Sequence, residues 1–295
     1  MSDFRLKVFQ SVAKNLSFTK ASQELFVSQP AITKHIQELE ATYQTRLFDR
    51  QGSKISLTES GRLLLEHCER ILEDYKRLEY EMHLLHNEYI GELKLGASTT
   101  IAQYVLPPLL GSFIGKFPQV NLSLLNGNSR EIEAALQEHR IDLGLVEGVF
   151  RLPNLKYTTF LEDELVAVVH SKSRLQLPEE ITPQDLPAIP LVLRERGSGT
   201  LDVIERSLQK HGVKLSSLHV LMYLGSTESI KLFLENSDCM GIVSIRSICK
   251  ELAAGTFRMV EIKDMPMLRD FCFVQLQGQE GGLSQAFMNY MFMSR

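Results

Sequence analysis

The chain opens with helical periodicity. Its first apolar residues recur three and four positions apart, at Phe4, Val8, Phe9 and Val12. This spacing places apolar side chains on one face of a helix. We therefore predict a first helix that packs its apolar face into a small core.

Two shorter periodic stretches follow, with a tight turn between them. Ser17 or Thr19 is positioned to cap a helix that contains Ala21, and a turn follows at Phe26-Val27-Ser28. A small alanine allows two helices to cross closely. The pattern over about Phe18 to Gln37 is typical of a helix-turn-helix motif, whose second helix enters the major groove of DNA.

The second helix of this motif has two different faces. Ser28 or Gln29 is positioned to cap it, and a proline suits its first turn. One face is apolar or semi-apolar, with Ile32, His35, Ile36 and Leu39. The other face carries Pro30, Thr33, Lys34 and Gln37. Thr and Gln side chains can read base edges, and Lys can meet phosphate or guanine. The predicted DNA contacts on this helix are Ser28, Gln29, Pro30, Thr33, Lys34 and Gln37.

A basic hairpin is predicted directly after the three helices. In "LFDRQGSKISLT", apolar residues alternate around Gln51-Gly52-Ser53, which indicates a β-hairpin wing. Arg50 and Lys54 are positioned on it for backbone phosphates or a minor groove. A polar helix face by itself is usually only a solvated surface. The three helices and basic wing together favour DNA binding.

A long helix with a narrow apolar seam comes next. Thr58 is positioned to cap it, and Ile90-Gly91 to end it. The seam alternates spacings of four and three through Leu64, Cys68, Ile71, Tyr75, Leu78, Met82, Leu85 and Tyr89. Such heptads favour a two-helix coiled coil and hence a dimer. The alternative is a helix packed on its own chain. A dimer would place two recognition helices about a two-fold axis and predicts an inverted-repeat DNA site.

From Glu92 onward, short apolar strands alternate with helices. The strand candidates are "ELKLGA", "VNLSLLNG" and "DLGLVEG", then "ELVAVVH", "IPLVLR", "LHVLMYL" and "MGIVSI", with a return through "FCFVQLQ". Repeated β-α-β units predict parallel sheets covered on both faces. Two such sets predict two α/β lobes with a cleft between them.

Hydroxyl-bearing segments follow three of these strands and precede helices. They are Ser98-Thr99-Thr100, Gly197-Ser198-Gly199-Thr200 and Gly225-Ser226-Thr227. Ligands of open α/β sheets bind beyond the carboxyl ends of the strands, where helix N-termini attract anions. We predict a site for a small carboxylate, phosphate or sulfate, with a cation from Arg196 or its neighbour Arg194. Each segment is also explained by simple helix capping.

Composition and charge narrow the class of protein. The 295 residues carry a net charge of -4, yet residues 1–60 carry +2 and the remainder -6, so the N-terminal part is basic. The four cysteines, Cys68, Cys239, Cys249 and Cys272, lack CxxC spacing, which fits a reducing cytosol. Neither a signal peptide nor a membrane-spanning apolar run is predicted.

Enzyme and metal motifs are missing from the sequence. It contains no HExxH, GxSxG or GxGxxG pattern, and the GSGT segment lacks the spacing and lysine of a phosphate-binding loop. His211 and His219 are poorly spaced for a shared metal. We therefore predict no catalytic residues, no metal and no cofactor. A redox-sensing pair of Cys239 and Cys249 stays as an alternative.

The stretch "FQSVAKNLSFTKASQELFVSQPAITKHIQELE…LFDR…ISLTESG" resembles the DNA-binding domain of LysR-type transcriptional regulators. The match is dense from Phe9 to Gly61. Ser22 departs from the usual alanine, and Thr33 from the common serine. More loosely, the rest of the chain is similar to the effector domain of that family, which resembles periplasmic solute-binding proteins.

The resemblance implies a winged helix-turn-helix over 1–58, a linker helix over 59–90 and a two-lobed α/β effector domain over 91–295. Lobe I would comprise 92–162 with 270–295, and lobe II 163–269. It also places Glu147 near a ligand amine, hydroxyl or amide. The full set of predicted effector contacts is Ser98, Thr99, Thr100, Glu147, Arg196, Ser198, Gly199, Thr200, Ser226 and Thr227.

The implied function is a cytoplasmic regulator that binds double-stranded DNA and responds to a small anionic metabolite. Dimers through the linker helix, tetramers built from two dimers and contact with RNA polymerase are further expectations. The alternative function is a solute receptor or thiol redox sensor that acts through protein partners.

Overall fold

The computed structural model describes residues 4–51, 54–84, 89–278 and 281–294, with the backbone alone at 50, 51, 54, 73, 76, 77, 79–81, 83 and 84. The chain divides into two compact units, one over 1–88 and the other over 89–295.

The first unit is helical with a small hairpin. Its elements are α1 Phe4–Asn15, α2 Phe18–Glu24, α3 Gln29–Tyr43, β1 Phe48–Gln51, β2 Lys54–Leu57 and α4 Glu59–Leu84. Ser17 caps α2 and Ser28 caps α3, each through its hydroxyl, which accepts the backbone N–H three residues later. Two alternative N-cap residues were predicted for each helix. The N-cap of α2 is Ser17 rather than Thr19, and the N-cap of α3 is Ser28 rather than Gln29.

The core of the first unit forms where the three helices and the hairpin meet. Its fully buried side chains include Val8, Phe9, Val12, Ala21, Ile32 and Leu47. Phe4, predicted on the core face, is 40% exposed and lies edge-on to His35 with ring centroids 5.4 Å apart. Ala21 is wholly buried, as the close crossing of two helices requires.

The start of α4 is tied to the segment before the hairpin. Thr58 Oγ1 accepts the N–H of Gly61 at 2.9 Å and donates to the carbonyl of Arg46 at 2.7 Å. A Cβ on residue 61 would lie 2.1 Å from the carbonyl oxygen of Leu47. Only glycine permits this close approach of helix and loop.

The predicted seam on α4 divides between two environments. Cys68 is buried in the core of the first unit and Leu64 packs against that core, and the Cys68 thiol donates to the Leu6 carbonyl at 3.3 Å. The beginning of α4 therefore packs on its own chain, contrary to the seam's prediction for Cys68. Further along, Leu78 and Met82 are 52% and 53% exposed.

The second unit contains one mixed sheet and the helices that flank it. Its strands are β3 Gly91–Ser98, β4 Val120–Gly127, β5 Leu143–Glu147, β6 Leu155–His170, β7 Glu180–Ile181, β8 Leu191–Arg194, β9 Val220–Leu224, β10 Met240–Ser244, β11 Phe257–Ile262 and β12 Met267–Leu276. Its helices are α5 Leu106–Lys116, α6 Ser129–Gln137, α7 Gly199–Lys210, α8 Thr227–Glu235, α9 Cys249–Ala253 and α10 Gly282–Met293. A π-helical turn, Ile101–Val105, precedes α5, and 3-10 turns occupy Pro183–Ala188, Leu215–Ser217 and Ile245–Ser247.

Two sets of three parallel strands make up the two lobes. The strand order is β4-β3-β5-β12-β6-β10-β8-β9, with β11 also on β6. β5 of the first set pairs antiparallel with β12, and β10 of the second set pairs antiparallel with β6. Because β12 and β6 also pair with each other, these two long strands join the two sets of parallel strands. The prediction of purely parallel sheets was therefore incomplete. The 16-residue β6 extends the predicted strand "ELVAVVH" backwards across the lobe boundary, and β11 was not predicted.

Each lobe has its own apolar core. Phe113, Phe273 and Phe287 are fully buried in lobe I, and Leu193 and Ile204 in lobe II. Tyr89, predicted in the helical seam, instead packs in lobe I with its ring centroid 4.5 Å from that of Phe117. The neighbouring seam position, Leu85, lies outside the described residues. Across the described ranges, no helix has both the length and the apolar character needed to cross a membrane.

Replacing Gly61 with alanine is expected to destabilise the first unit by about 1–3 kcal/mol, because the Leu47 carbonyl would have to move away from α4. Urea unfolding followed by circular dichroism measures the loss. Gly111→Ala in α5 is the control, since a Cβ there meets nothing within 4 Å. That change should be neutral or stabilising by up to about 1 kcal/mol. Equal stabilities of the two variants would contradict the close approach.

Candidate functional site

The second helix of the helix-turn-helix, α3, presents a polar face outward. Ser28, Gln29, Pro30, Lys34 and Gln37 are exposed, and Thr33 is half-buried with its hydroxyl donated to the carbonyl of Gln29 at 3.1 Å. The opposite face is anchored by Ile32, Ile36 and Leu39, which are at most 3% exposed. The structure thus brings the predicted α3 contacts together on one accessible surface.

The predicted wing is present as the hairpin of β1 and β2. Arg50 pairs with Ile55, and Gln51 with Lys54, in antiparallel register. The side chains of Arg50 and Lys54 lie outside the described residues, so their contacts with DNA stay predictions.

The turn between α2 and α3 exposes the aromatic ring of Phe26, which was predicted only as a residue of the turn. Phe26 has φ +52° and is 94% exposed. Left-handed backbone is unfavourable for a bulky residue. The sequence signal for this exposed ring was a large apolar residue inside a tight turn, two positions before the N-cap of α3.

In the second unit, the three predicted hydroxyl segments do lie between strands and helices. Ser98 ends β3, Ser198 caps α7, and Ser226 caps α8. The Ser198 and Ser226 hydroxyls each accept a backbone N–H at 3.1 Å. Capping therefore accounts for these two hydroxyls without a ligand.

A buried ionic cluster occupies part of the predicted site. The Ser98 hydroxyl donates to Glu147, whose other carboxylate oxygen lies 3.5 Å from Arg269 Nη1. Arg269 also donates to Asp163 at 2.7 Å and to the Thr200 hydroxyl at 2.9 Å. Both carboxylate oxygens of Glu147 thus have protein partners. Its contact with a ligand stays a prediction.

The N-terminus of α7 is pressed against the end of β5. A Cβ on Gly199 would lie 2.0 Å from the carbonyl oxygen of Glu147. The Gly197 carbonyl also accepts the backbone N–H of Arg130 at 3.3 Å. Lobe I and lobe II therefore touch here, and the GSGT segment lies within a packed contact.

An open cleft of about 300 Å³ remains beside this contact. It is lined by Thr99, Gln103, Asn126, Gly127, Asn128, Glu131, Glu195, Gly225 and Ser226. Among the predicted effector residues, only Thr99 and Ser226 line it. The segment around Asn128 was missed, although it also follows a strand and caps a helix, through a capping box with Glu131.

The cation buried beside the cleft is Arg194 and not Arg196, and it contacts the lining residues Thr99, Glu195 and Gly225. Arg194 is 1% exposed, and its Nη2 donates to Thr99 Oγ1 at 3.3 Å and to the Gly225 carbonyl at 3.2 Å. Arg196 is exposed. The difference arises because Arg194 ends β8 between Thr99 of one lobe and Gly225 of the other, whereas Arg196 lies beyond the strand.

A second polar contact joins the lobes at Tyr104. Its hydroxyl donates to Glu228, and Lys231 Nζ lies 2.9 Å from the same Glu228 oxygen. Burial and the Glu228 hydrogen bond raise the pKa of Tyr104. Partial burial acts to raise the pKa of Glu228, but hydrogen bonds from Tyr104 and Lys231 outweigh it and hold that pKa below its usual value.

The two candidate redox cysteines differ in exposure. Cys239 is fully buried, and burial, followed by the charge of Asp238, raises the pKa of its thiol to about 11. Cys249 is exposed, and its thiol donates to the Ile245 carbonyl at 3.2 Å. A thiol with so high a pKa stays protonated at neutral pH, which disfavours redox exchange at Cys239.

Two family models match this chain. The model described as "Bacterial regulatory helix-turn-helix protein, lysR family" matches residues 4–62, and "LysR substrate binding domain" matches residues 86–292. The chain belongs to the LysR family. Its winged helix-turn-helix and its two-lobed α/β effector-binding domain confirm the predicted fold and family.

Relatives of this LysR-family chain are transcriptional regulators. The HTH-type transcriptional regulator CysL of Bacillus subtilis is 29% identical over 91% of this chain and 89% of its own length. The regulatory domain of CcmR from Synechocystis PCC6803, solved with 2-PG, is 28% identical, covers 69% of this chain and 97% of its own, and has a TM-score of 0.62. Full-length CbnR, solved with its target DNA, is 23% identical over all of both chains with a TM-score of 0.62, which shows a shared fold.

Replacing Tyr104 with phenylalanine removes the hydroxyl that joins the lobes and keeps the ring beside Lys231. We expect a loss of stability below about 1 kcal/mol, because Glu228 is 48% exposed and screened by water. Since the pKa of Glu228 is lowered in the folded protein, this stabilisation is present above its ordinary value. It should vanish as the pH falls through the lowered pKa.

Denaturant unfolding of wild type and Tyr104→Phe at several pH values measures this difference. Tyr223→Phe is the matched control, since Tyr223 is 45% exposed and its hydroxyl has no hydrogen-bond partner within the described ranges. A Tyr104 effect that is the same at acidic and neutral pH would rule out the role of ionised Glu228.

Proposed function

We propose that this LysR-family protein is a sequence-specific DNA-binding regulator whose arrangement on DNA changes when a small anion binds between its two lobes. The observation that carries the DNA-binding half is the two-faced α3. Lys34 and Gln37 are exposed while Ile32 and Ile36 are buried. The polar residues are therefore free for a partner, while the apolar ones fix the helix to its own unit.

The chemistry of the exposed α3 face suits duplex DNA. Lys34 supplies a charge for a phosphate or a guanine, and Gln37 supplies an amide that can pair with adenine. Ser28 and Gln29 lie at the N-terminus of α3, where the helix dipole favours a phosphate. We propose that Arg50 and Lys54 of the wing add phosphate or minor-groove contacts.

The exposed part of α4 supports a dimer. Ile71, Leu78 and Met82 are 40%, 52% and 53% exposed and recur at heptad spacing on one face of the helix. A second copy of α4 would cover this apolar stripe. Two recognition helices about a two-fold axis would then fit an inverted-repeat site, and two dimers would make a tetramer. We further propose that the regulator works in the cytoplasm and contacts RNA polymerase.

The interlobe cleft supports a small anionic effector. Arg194 is buried against Thr99 and Gly225, and both of these residues line the cleft together with the N-cap residues Asn128 and Ser226. Helix N-termini and an arginine together favour carboxylate, phosphate or sulfate. The similar CcmR regulatory domain was solved with 2-PG. Thr100, Thr200 and Thr227 are buried in the present arrangement, so their direct contacts with the effector belong to the proposal only for a rearranged cleft.

An effector changes the protein only through different affinity for two lobe arrangements. Contacts that span the lobes in this structure include Arg194 with Thr99, Tyr104 with Glu228, and Gly197 with Arg130. A ligand in the cleft would strengthen or replace these contacts. The resulting shift in lobe position would alter how paired dimers sit on DNA.

Replacing Lys34 with alanine should weaken DNA binding and lower the slope of log K against log salt by about 1, because the loss of one phosphate contact leaves fewer counterions to be released. Gel-shift titrations at several salt concentrations, on DNA from upstream of the protein's own gene, measure both quantities. Lys7→Ala removes the same charge from an exposed position on α1. An unchanged slope for Lys34→Ala would count against a phosphate contact, and no binding by wild type would count against the function.

Replacing Leu78 or Met82 with glutamate should convert a dimer into monomers, because two charges would face each other across an apolar seam. Sedimentation equilibrium measures the mass. Leu63→Glu is the control, since Leu63 is 60% exposed on a different face of α4. If all three variants keep the wild-type mass, the seam is not the interface.

A further inference from the structure

Arg194, which is buried beside the cleft, already binds a carboxylate from its own chain. Arg194 Nε donates to Glu195 Oε2 at 2.8 Å, and Arg194 Nη2 donates to Glu195 Oε1 at 3.0 Å. This is the two-pronged geometry in which arginine binds a carboxylate or phosphate ligand. The neighbouring residue therefore occupies the guanidinium edge that an incoming anion would use.

The pairing leaves part of the arginine unsatisfied. Arg194 is 1% exposed, and its Nη1 has no hydrogen-bond partner among the described residues. Leaving a buried donor without a partner is unfavourable, because it has lost its hydrogen bonds to water. An incoming oxyanion can bind this arginine by taking the Nε–Nη2 edge from Glu195, or can meet Nη1 on the Nη1–Nη2 edge, but it does not meet all three nitrogens at once.

Glu195 is placed to move away when a ligand arrives. Its side chain is 26% exposed, and it lines the cleft, whereas Arg194 is held by Thr99 and Gly225. A partly exposed carboxylate can rotate into water at little cost, while a buried guanidinium cannot. In the present arrangement, Glu195 also cancels the charge of Arg194, so the cleft has little attraction for anions.

We propose that Glu195 is an internal competitor for the effector site, which a tetrahedral oxyanion such as a phosphate or sulfate group displaces from Arg194. This inference rests on the proposed anionic effector and adds the residue that sets its binding threshold. The apparent affinity of the cleft equals its intrinsic affinity multiplied by the fraction of molecules in which Glu195 has left Arg194. A phosphate or sulfate dianion carries more negative charge than the Glu195 carboxylate, so it competes for Arg194 better than a simple carboxylate does.

Isothermal titration of the full-length chain with inorganic phosphate, sulfate and acetate, at constant ionic strength, tests the proposal. Glu195→Gln removes the competing charge at nearly constant shape, and we expect phosphate and sulfate to bind roughly tenfold more tightly. Glu195→Asp retains the charge but shortens the reach to Arg194, so it should give a smaller gain. It also serves as the second variant should Glu195→Gln not fold, which circular dichroism shows.

Glu131→Gln is the matched control, because Glu131 lines the same cleft while its carboxylate accepts the Asn128 N–H instead of an arginine. Its gain should stay below about twofold, since it changes the cleft charge without freeing Arg194. Equal gains from Glu131→Gln and Glu195→Gln would overturn the competitor role. So would unchanged or weaker anion binding by Glu195→Gln while wild type binds.

The two levels of the proposal fail in different ways. If wild type binds phosphate or sulfate and only the gain is missing, the anionic effector stands and the role of Glu195 is overturned. If neither wild type nor any Glu195 variant binds any of the three anions, while DNA binding is intact, both the anionic effector and the competitor are overturned. Tighter binding of phosphate and sulfate by Glu195→Gln, beyond that of Glu131→Gln, supports both.

Discussion

The effector-binding unit depends on one buried guanidinium. Arg269 lies on β12, is wholly shielded from solvent and pairs with Asp163 on β6 and Glu147 at the end of β5. Buried charges are tolerated only when their partners satisfy them, and removing one partner typically costs about 3–5 kcal/mol. These contacts join the lobes at one of their junctions, where these three strands and the first turn of α7 meet.

This junction determines which part of the interlobe region stays open. Because Arg269 uses Glu147 and Thr200, and Gly199 lies against the Glu147 carbonyl, that side of the interlobe region is closed by protein. The open cleft is displaced toward β3, β4 and β9, whose ends carry Thr99, Asn128 and Ser226. Arg194 is the cation on this side, and Glu195 neutralises it.

The DNA-binding unit follows a simpler logic. Its contacts are local, since α1, α2 and α3 pack against one another within a short stretch of sequence and expose the remaining face of α3. Even in this unit, the environment of one residue differs from that predicted by the apolar spacing. Cys68 has the right spacing for a dimer seam, yet it is buried against Leu6, because the first turns of α4 complete the core of their own unit.

The sequence by itself determined the order of elements, the winged helix-turn-helix, the exposed polar face of α3 and the alternation of strands and helices in two lobes. These features follow from apolar periodicity and capping residues, which act between neighbours in the chain. Only the tertiary structure decided that Arg194 rather than Arg196 is buried beside the cleft, that Glu147 pairs with Arg269, and that β6 and β12 run through both lobes. Those outcomes depend on which distant segments the sheet order brings together, and burial of a charge is decided by its partners in space rather than by its position in the sequence.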